Sequence, residues 1–335
     1  MNQSATTVPI QFIHSLLDGL RLDAYMQSQY LLRAGISTDL FSQPGARVTT
    51  DQFAGLYRLL AREIDDETPG MFSRPLRGGT LKFLCLSVLE SGNLIGALYR
   101  FTQFFRLLLE DLAFTLEKSD DLLRLALTPT TEAVRCNHFA QEMMLKLAHG
   151  MASWLAGRKI PLARIDFAYS RPIHVSEYVF LYPGPTYFDQ PVTALYFESK
   201  HLQIPIRQDK NSLSQFLARA PADWMFVSFA ERIVSHRVRE YLETRLGQVT
   251  SIKDVAHALH FSLRTLARRL DEEGTSFQAI KDELRRDVAI QKLIKTRLPV
   301  AIIGNQIGFD DPTTFHRAFK RWTGSSPKAY RGRTK

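Results

Sequence analysis

The C-terminal third of the sequence repeats itself. Ile252, Val255, Ala256, Leu259 and Phe261 recur 48 positions later as Val300, Ile303, Gly304, Ile307 and Phe309. After a one-residue insertion, Leu266, Arg268 and Leu270 recur at an offset of 49 as Phe315, Arg317 and Phe319. A repeat of this kind commits the segment to two copies of one supersecondary unit. In each copy a short amphipathic stretch carries a tiny residue, Ala256 or Gly304, where a second helix must cross closely; a tight turn and a second helix follow. That order is helix-turn-helix. Gly308 at the second turn suits a positive φ, whereas His260 at the first tolerates that geometry less well.

The second helix of each copy has a recognisable start. Ser262 is placed to cap LRTLARRL, and Asp311 to cap the helix opening at Pro312, which needs no amide partner at that position. Leu263, Leu266 and Leu270 form one apolar stripe, and Phe315, Phe319 and Trp322 the other. Facing outward are Arg264, Thr265 and Arg268 in the first copy and Thr313, His316, Arg317 and Lys320 in the second. Arginine matches the guanine edge in the major groove by a bidentate contact worth about 1–3 kcal/mol of discrimination. One exposed arginine is ordinarily a solvated charge. Arg268 and Arg317 occupy the same repeat position, which favours contact with bases.

Between the copies, residues 276–295 read as one helix, with Thr275 and Gln278 spaced as a capping box and Lys292, Lys295 and Arg297 near its end before Pro299. Such a rod is about 30 Å long at 1.5 Å per residue. Successive major-groove faces on one side of B-DNA lie ~34 Å apart, so one chain can present two reading heads to adjacent grooves. Arg285, Arg286, Lys320, Arg321 and Lys328 are then candidates for phosphate contacts, which strengthen binding without selecting sequence, although intramolecular ion pairs are an alternative use for them.

Charge supports a polyanion partner once it is located. From Phe229 to Lys335 there are 21 Lys and Arg against 12 Asp and Glu, which accounts for the whole net charge of +9 and leaves the remainder neutral. A length of 335 residues suits two domains. The neutral part mixes patterns. Residues 93–109 show helical spacing, 112–117 and 122–127 read as strands joined by the turn KSDD, 132–155 as a long helix, and 163–169 and 193–199 as further strands. The expected fold class is therefore an α+β N-terminal domain over 1–207, a linker over 208–226 and an all-α domain over 227–335. Cys85 and Cys136 lie in apolar stretches without metal-ligand spacing, so both are expected to be buried thiols, with no metal site, cofactor or disulfide. No run approaches the roughly 18 apolar residues of a membrane span, and MNQSATTVPIQF lacks the features of a signal peptide, so no membrane association and a cytoplasmic location are expected.

From DVAHALHFSLRTLARRLDEEGTSFQAIKDELRRDVA to IGNQIGFDDPTTFHRAFKRWTGSSPKAYR, the segment Ile252 to Arg331 resembles the DNA-binding domain of the AraC/XylS transcription regulators. The resemblance implies base-facing positions at Arg264, Ala267 and Arg268 in the first reading helix and at Thr313, Thr314, His316 and Arg317 in the second. Ala267 is too small for polar readout, and His260 stands where the family usually has glycine. PLRGGTLKFLCLSVLESGNLIGALYRFTQFFRLL and FAYSRPIHVSEYVFLYPGPTYFDQPVTALYFESKHLQIPI resemble the arabinose-binding-type effector domain of that family's ornithine-utilisation branch, over about residues 20–210. This implies effector binding, dimerisation and control over presentation of the DNA-binding domain.

The expected partners are thus operator DNA, a small-molecule effector, RNA polymerase and a second copy of the chain, in a regulator that activates. Tyr99, Arg100, Arg106, His138 and Glu142, ionisable or polar residues in mostly apolar helices, are candidates to converge on an effector cavity, or else are surface groups and satisfied core partners. Three alternatives stand beside this reading: a regulator working through protein contacts without an effector, an enzyme fused to a DNA-binding tail, and an architectural DNA binder. No metal cluster, phosphate loop, nucleophile elbow or activated cysteine points to catalytic residues. An architectural binder needs positive charge but not two ordered reading helices.

Overall fold

A computed structural model describes residues 7–119, 121–172, 175, 181–182, 184–226, 234–273 and 275–331. Among these, the chain opens with β1 (Thr7–Pro9), α1 (Gln11–Asp18), α2 (Ala24–Arg33), α3 (Thr38–Phe41), β2 (Arg47–Thr49) and α4 (Thr50–Glu63). It continues through α5 (Thr80–Leu89), α6 (Leu94–Leu108), β3 (Leu112–Ser119), β4 (Leu122–Pro129), α7 (Glu132–Cys136) and α8 (His138–Leu155). Next come β5 (Arg164–Asp166), β6 (Thr186–Tyr187), β7 (Thr193–Glu198), α9 (Lys210–Arg219) and α10 (Ala222–Met225). The last helices are α11 (Val234–Glu243), α12 (Ile252–Ala258), α13 (Leu263–Glu272), α14 (Phe277–Lys295), α15 (Val300–Gln306), α16 (Pro312–Thr323) and α17 (Pro327–Tyr330).

Two compact units divide these elements, and two segments from the first 53 residues fall with the C-terminal one. One holds the described residues of Ser15–Leu22 and Ala54–Ser228; the other gathers those of Met1–His14, Asp23–Phe53 and Phe229–Lys335. The first unit is α+β. Its sheet runs β3-β4-β7-β5-β6, antiparallel except for the β5–β6 pair. Alternation along the strands sends Phe114, Leu125, Leu127, Leu195 and Phe197 to one face, where Phe114 packs on Phe101 and Phe105 of α6. Glu117, Arg124, Tyr196 and Arg164 sit in register across the other face. The helix expected over 132–155 is broken at Asn137, whose side chain accepts from the Ala140 amide and starts α8 afresh. α8 is buried on nearly every side, which takes one more layer: α10 crosses it at Gly150, and Trp154 stacks on Phe216 of α9 at 4.5 Å. Residues expected as a linker are therefore packed helices. Of the two cysteines Cys85 is buried, but Cys136 is exposed, because the short α7 turns Val134 inward instead.

The second unit is largely helical. Val234, Val238, Leu242, Val255, Ala256, Leu266, Leu270, Ile280 and Leu284 form the core of the first repeat copy. Ile290, Leu293, Ile303, Ile307, Phe315, Phe319 and Tyr330 are buried in the second. An unforeseen part of this unit is the β1–β2 ribbon, paired Thr7 to Thr49, Val8 to Val48 and Pro9 to Arg47. It is fastened to α14 through Asp287, a carboxylate 3% exposed. The Thr7 hydroxyl donates to it at 2.5 Å, Arg239 and Arg286 reach it at 2.8 and 3.1 Å, and Arg47 lies at 4.0 Å. The Arg47 amide donates to the Tyr330 hydroxyl, and Lys295 pairs with Asp51 at 2.7 Å.

Candidate nucleic-acid interface

Each repeat copy is built from its caps and its turn. Ser251 and Asp254 form a capping box that starts α12. The turn then passes through His260 at φ 59°, the left-handed conformation that Gly308 adopts at φ 85° in the second copy. The Phe261 amide closes the first turn on the Ala256 carbonyl at 2.8 Å, and Phe309 closes the second on Gly304 at 3.0 Å. Small residues are required at those crossings: a Cβ on Gly304 would meet the Phe315 ring at 3.0 Å.

In α13 the Ser262 hydroxyl accepts from the Thr265 amide at 3.1 Å. Leu266 and Leu270 are buried, while Leu263 is 40% exposed at the first turn and lies outside the stripe expected for it. Arg264, Ala267 and Arg268 are all exposed, with Arg268 3.7 Å from Glu272 one turn on. In α16 the Asp311 carboxylate accepts from the Thr314 amide at 2.7 Å and its hydroxyl at 2.8 Å. Those bonds, with the nearby Arg317 charge, hold its carboxyl below the usual carboxylate range. Phe315 and Phe319 are buried and Trp322 is half-buried, leaving Thr313, Thr314, His316 and Arg317 exposed. Both faces are thus polar, solvent-facing and attached to an apolar core at matching positions.

The five candidates for phosphate contact divide. Lys320, Arg321 and Lys328 are exposed, Arg321 lying 3.6 Å from Asp282. Arg285 and Arg286 are turned inward: Arg286 pairs with buried Asp287, and Arg285 donates to the Gly308 carbonyl at 3.2 Å with its guanidinium over the Phe309 ring. Their inward direction follows from the helix, since α14 packs against both repeat copies and has little free circumference. Its cap is Ser276, accepting from the Ala279 amide, and not the Thr275–Gln278 box; Gln278 bonds Asp282 instead.

The effector candidates divide as well. Tyr99, Arg100 and Arg106 are on the exposed side of α6, and Arg100 donates to the Ser87 carbonyl at 2.6 Å. That helix buries Leu94, Ala97, Leu98, Phe101, Thr102 and Phe105, so the polar residues at intervening positions point away from the core. His138 and Glu142 do come together around Tyr169: the imidazole stacks on its ring at 4.0 Å, and the Tyr169 hydroxyl donates to Glu142 at 2.6 Å. Desolvation lowers the His138 pKa. Further along α8, Lys146 donates to the Leu181 carbonyl and lies 5.1 Å from the Tyr182 ring centre. Burial pushes its ammonium down to about 7, and burial with the Lys146 charge pushes His149 down to about 3. Sequence reasoning passed over Lys146 and His149; their signal was spacing four and seven residues beyond Glu142 on an otherwise apolar helix.

Comparisons with known proteins bear on both parts of the chain. Residues 26–206 match the arabinose-binding domain of AraC transcription regulators, and residues 255–333 match a helix-turn-helix domain. The ornithine utilization regulator of Pseudomonas aeruginosa is 27% identical over 99% of this chain and 98% of its own length. The transcriptional activator NphR of a Rhodococcus species is 35% identical over 28% of this chain and 29% of its own. Among solved structures, the transcriptional regulator CdpR of Pseudomonas aeruginosa aligns over 96% of both chains at 20% identity with a TM-score of 0.32. The two sequence relatives are transcription regulators, not enzymes. No helix among the described residues is long and apolar enough to cross a membrane. With the arabinose-binding-type domain covering more than half of its length and a helix-turn-helix domain over the tandem repeat, the chain belongs to the AraC family of transcription regulators.

Proposed function

We propose that this regulator reads double-stranded operator DNA with α13 and α16 in successive stretches of major groove and activates transcription by contacting RNA polymerase. The observation that carries the reading is the matched pair of exposed, capped helices. Arg264 and Arg268, beside Ala267, face out from one, and Thr313, Thr314, His316 and Arg317 from the other. Arg268 and Arg317 contact base edges, while Lys320, Arg321 and Lys328 contact phosphates. The α+β unit binds a small molecule that sets activity, as its kinship with arabinose-binding domains suggests, and supports a homodimer. Activation is consistent with the activator named among the relatives.

Footprinting and equilibrium binding on wild-type-selected duplexes test the reading. Arg268→Ala and Arg317→Ala should each cost about 1–3 kcal/mol and relax preference at one or two base pairs. Arg321→Ala should weaken binding to all sequences alike and flatten the salt dependence. An Arg268→Ala variant with unaltered affinity and preference would remove α13 as a reading helix.

A further inference from the structure

Arg285 makes an inward contact that links the connecting helix to the second repeat copy. It projects from α14, which lies between the repeat copies, yet it reaches the turn of the second copy. Its Nη2 donates to the Gly308 carbonyl at 3.2 Å, and its guanidinium carbon is 5.0 Å from the centre of the Phe309 ring. Contact is close enough that a Cβ on Gly308 would fall 2.8 Å from the same nitrogen. Phe309 in turn touches the reading helix, 5.6 Å from Phe315 and 5.8 Å from Trp322 between ring centres. Connecting rod, turn and α16 are thus joined through one guanidinium.

The first repeat copy has a counterpart to this contact. Phe261 occupies the position of Phe309 in the first copy, and it too lies under guanidinium groups: Arg269 at 4.9 Å and Arg237 at 5.5 Å. A cation over the ring that follows the turn is therefore present in both copies. The sources differ. Arg269 belongs to the first reading helix itself and Arg237 to α11, whereas the second copy takes its cation from the connecting helix.

We infer that Arg285 is a positioning residue for the second reading head, a latch that sets the angle at which α16 leaves its turn, and does not contact phosphate. The latch differs between the two heads: the cation over the ring comes from α13 and α11 in the first and from α14 in the second. Burial lowers the Arg285 pKa, as expected of a guanidinium that has given up water for a carbonyl and a ring. The inference rests on α16 being a reading helix.

Binding of the full chain to a duplex selected from a random pool by the wild type tests it, alongside two versions with either half-site scrambled. Arg285→Lys keeps the charge but not the planar fork that spans Gly308 and Phe309. It should lose about tenfold or more on the intact duplex, comparable to losing a bidentate base contact. It should lose nothing on the duplex whose α16 half is already scrambled, and its salt slope should match the wild type. Phe309→Leu, which removes the ring and leaves the arginine, should reproduce the pattern. Wild-type binding by Arg285→Lys on all three duplexes would overturn the latch. So would an equal loss on all three by Arg285→Gln with a salt slope shallower by about 0.9, the signature of one phosphate contact. Arg317→Ala in the same assay separates the two ideas. If it acts on the intact duplex and Arg285→Lys does not, only the latch fails; if Arg317→Ala does nothing, the assignment of α16 fails first.

Discussion

Asp287 shows how much one side chain can hold in this fold. Burial works against its carboxylate, but Arg286, Arg239, Arg47 and the Thr7 hydroxyl together hold its carboxyl below the ordinary value of 3.8. Because the folded value is the lower one, the stabilisation is complete above the unfolded pKa and is lost as pH falls through the folded one. Asp287→Asn should destabilise the unit by about 3–5 kcal/mol at neutral pH, since it strands buried arginines opposite a neutral amide. Acid denaturation of the variant should then show less dependence on pH below about 4 than the wild type; equal stability of the two at pH 7 would refute the argument. No local pattern singles out Asp287 in the sequence, because its partners lie 48, 240 and 280 positions away or next door. Arg264, Arg268, His316 and Arg317 were recognisable as outward groups, because helical periodicity alone decides which residues face an adjoining core.

At the scale of elements, packing set the limits that pattern could not. Gly150 lies mid-helix in α8, where glycine costs about 1 kcal/mol relative to alanine. Its use is the approach of α10: a Cβ there would lie 2.4 Å from the Trp224 carbonyl oxygen. Gly150→Ala should therefore destabilise the α+β unit, by about 1–3 kcal/mol as in overpacked cores, despite alanine's better propensity. Chemical denaturation measures the loss, and hydrogen exchange should place it in α10; a more stable variant would show that the two helices separate without cost. The β3–β4 hairpin, α6 and the α13 and α16 caps were legible, since each depends on neighbours within a few residues. The interruption at Asn137, the two short strands of the ribbon and the helices α9 and α10 were not. Strands of three residues and a helix of four carry weak local signals, and contacts distant in sequence stabilise them.

In the molecule as a whole, chain order and compact units differ. The described parts of Met1–His14 and Asp23–Phe53 belong with Phe229–Lys335, so the helix-turn-helix region is not a self-contained C-terminal module. A fragment of residues 227–335 lacks Thr7, Arg47 and Asp51, the partners of Asp287, Tyr330 and Lys295. Amides of α14 should exchange faster in that fragment than in the full chain, with a lower Tm; matching exchange rates would make the ribbon dispensable. Sequence alone determined the tandem repeat, its caps, its outward arginines and the basic charge of the last third, because those are properties of short spacings and of composition. Only the tertiary structure decided that Arg285 and Arg286 turn inward, that Glu142 meets Tyr169, and that the N-terminal ribbon clasps the connecting helix. A buried charge finds its partner wherever folding brings one, and no local pattern records that distance.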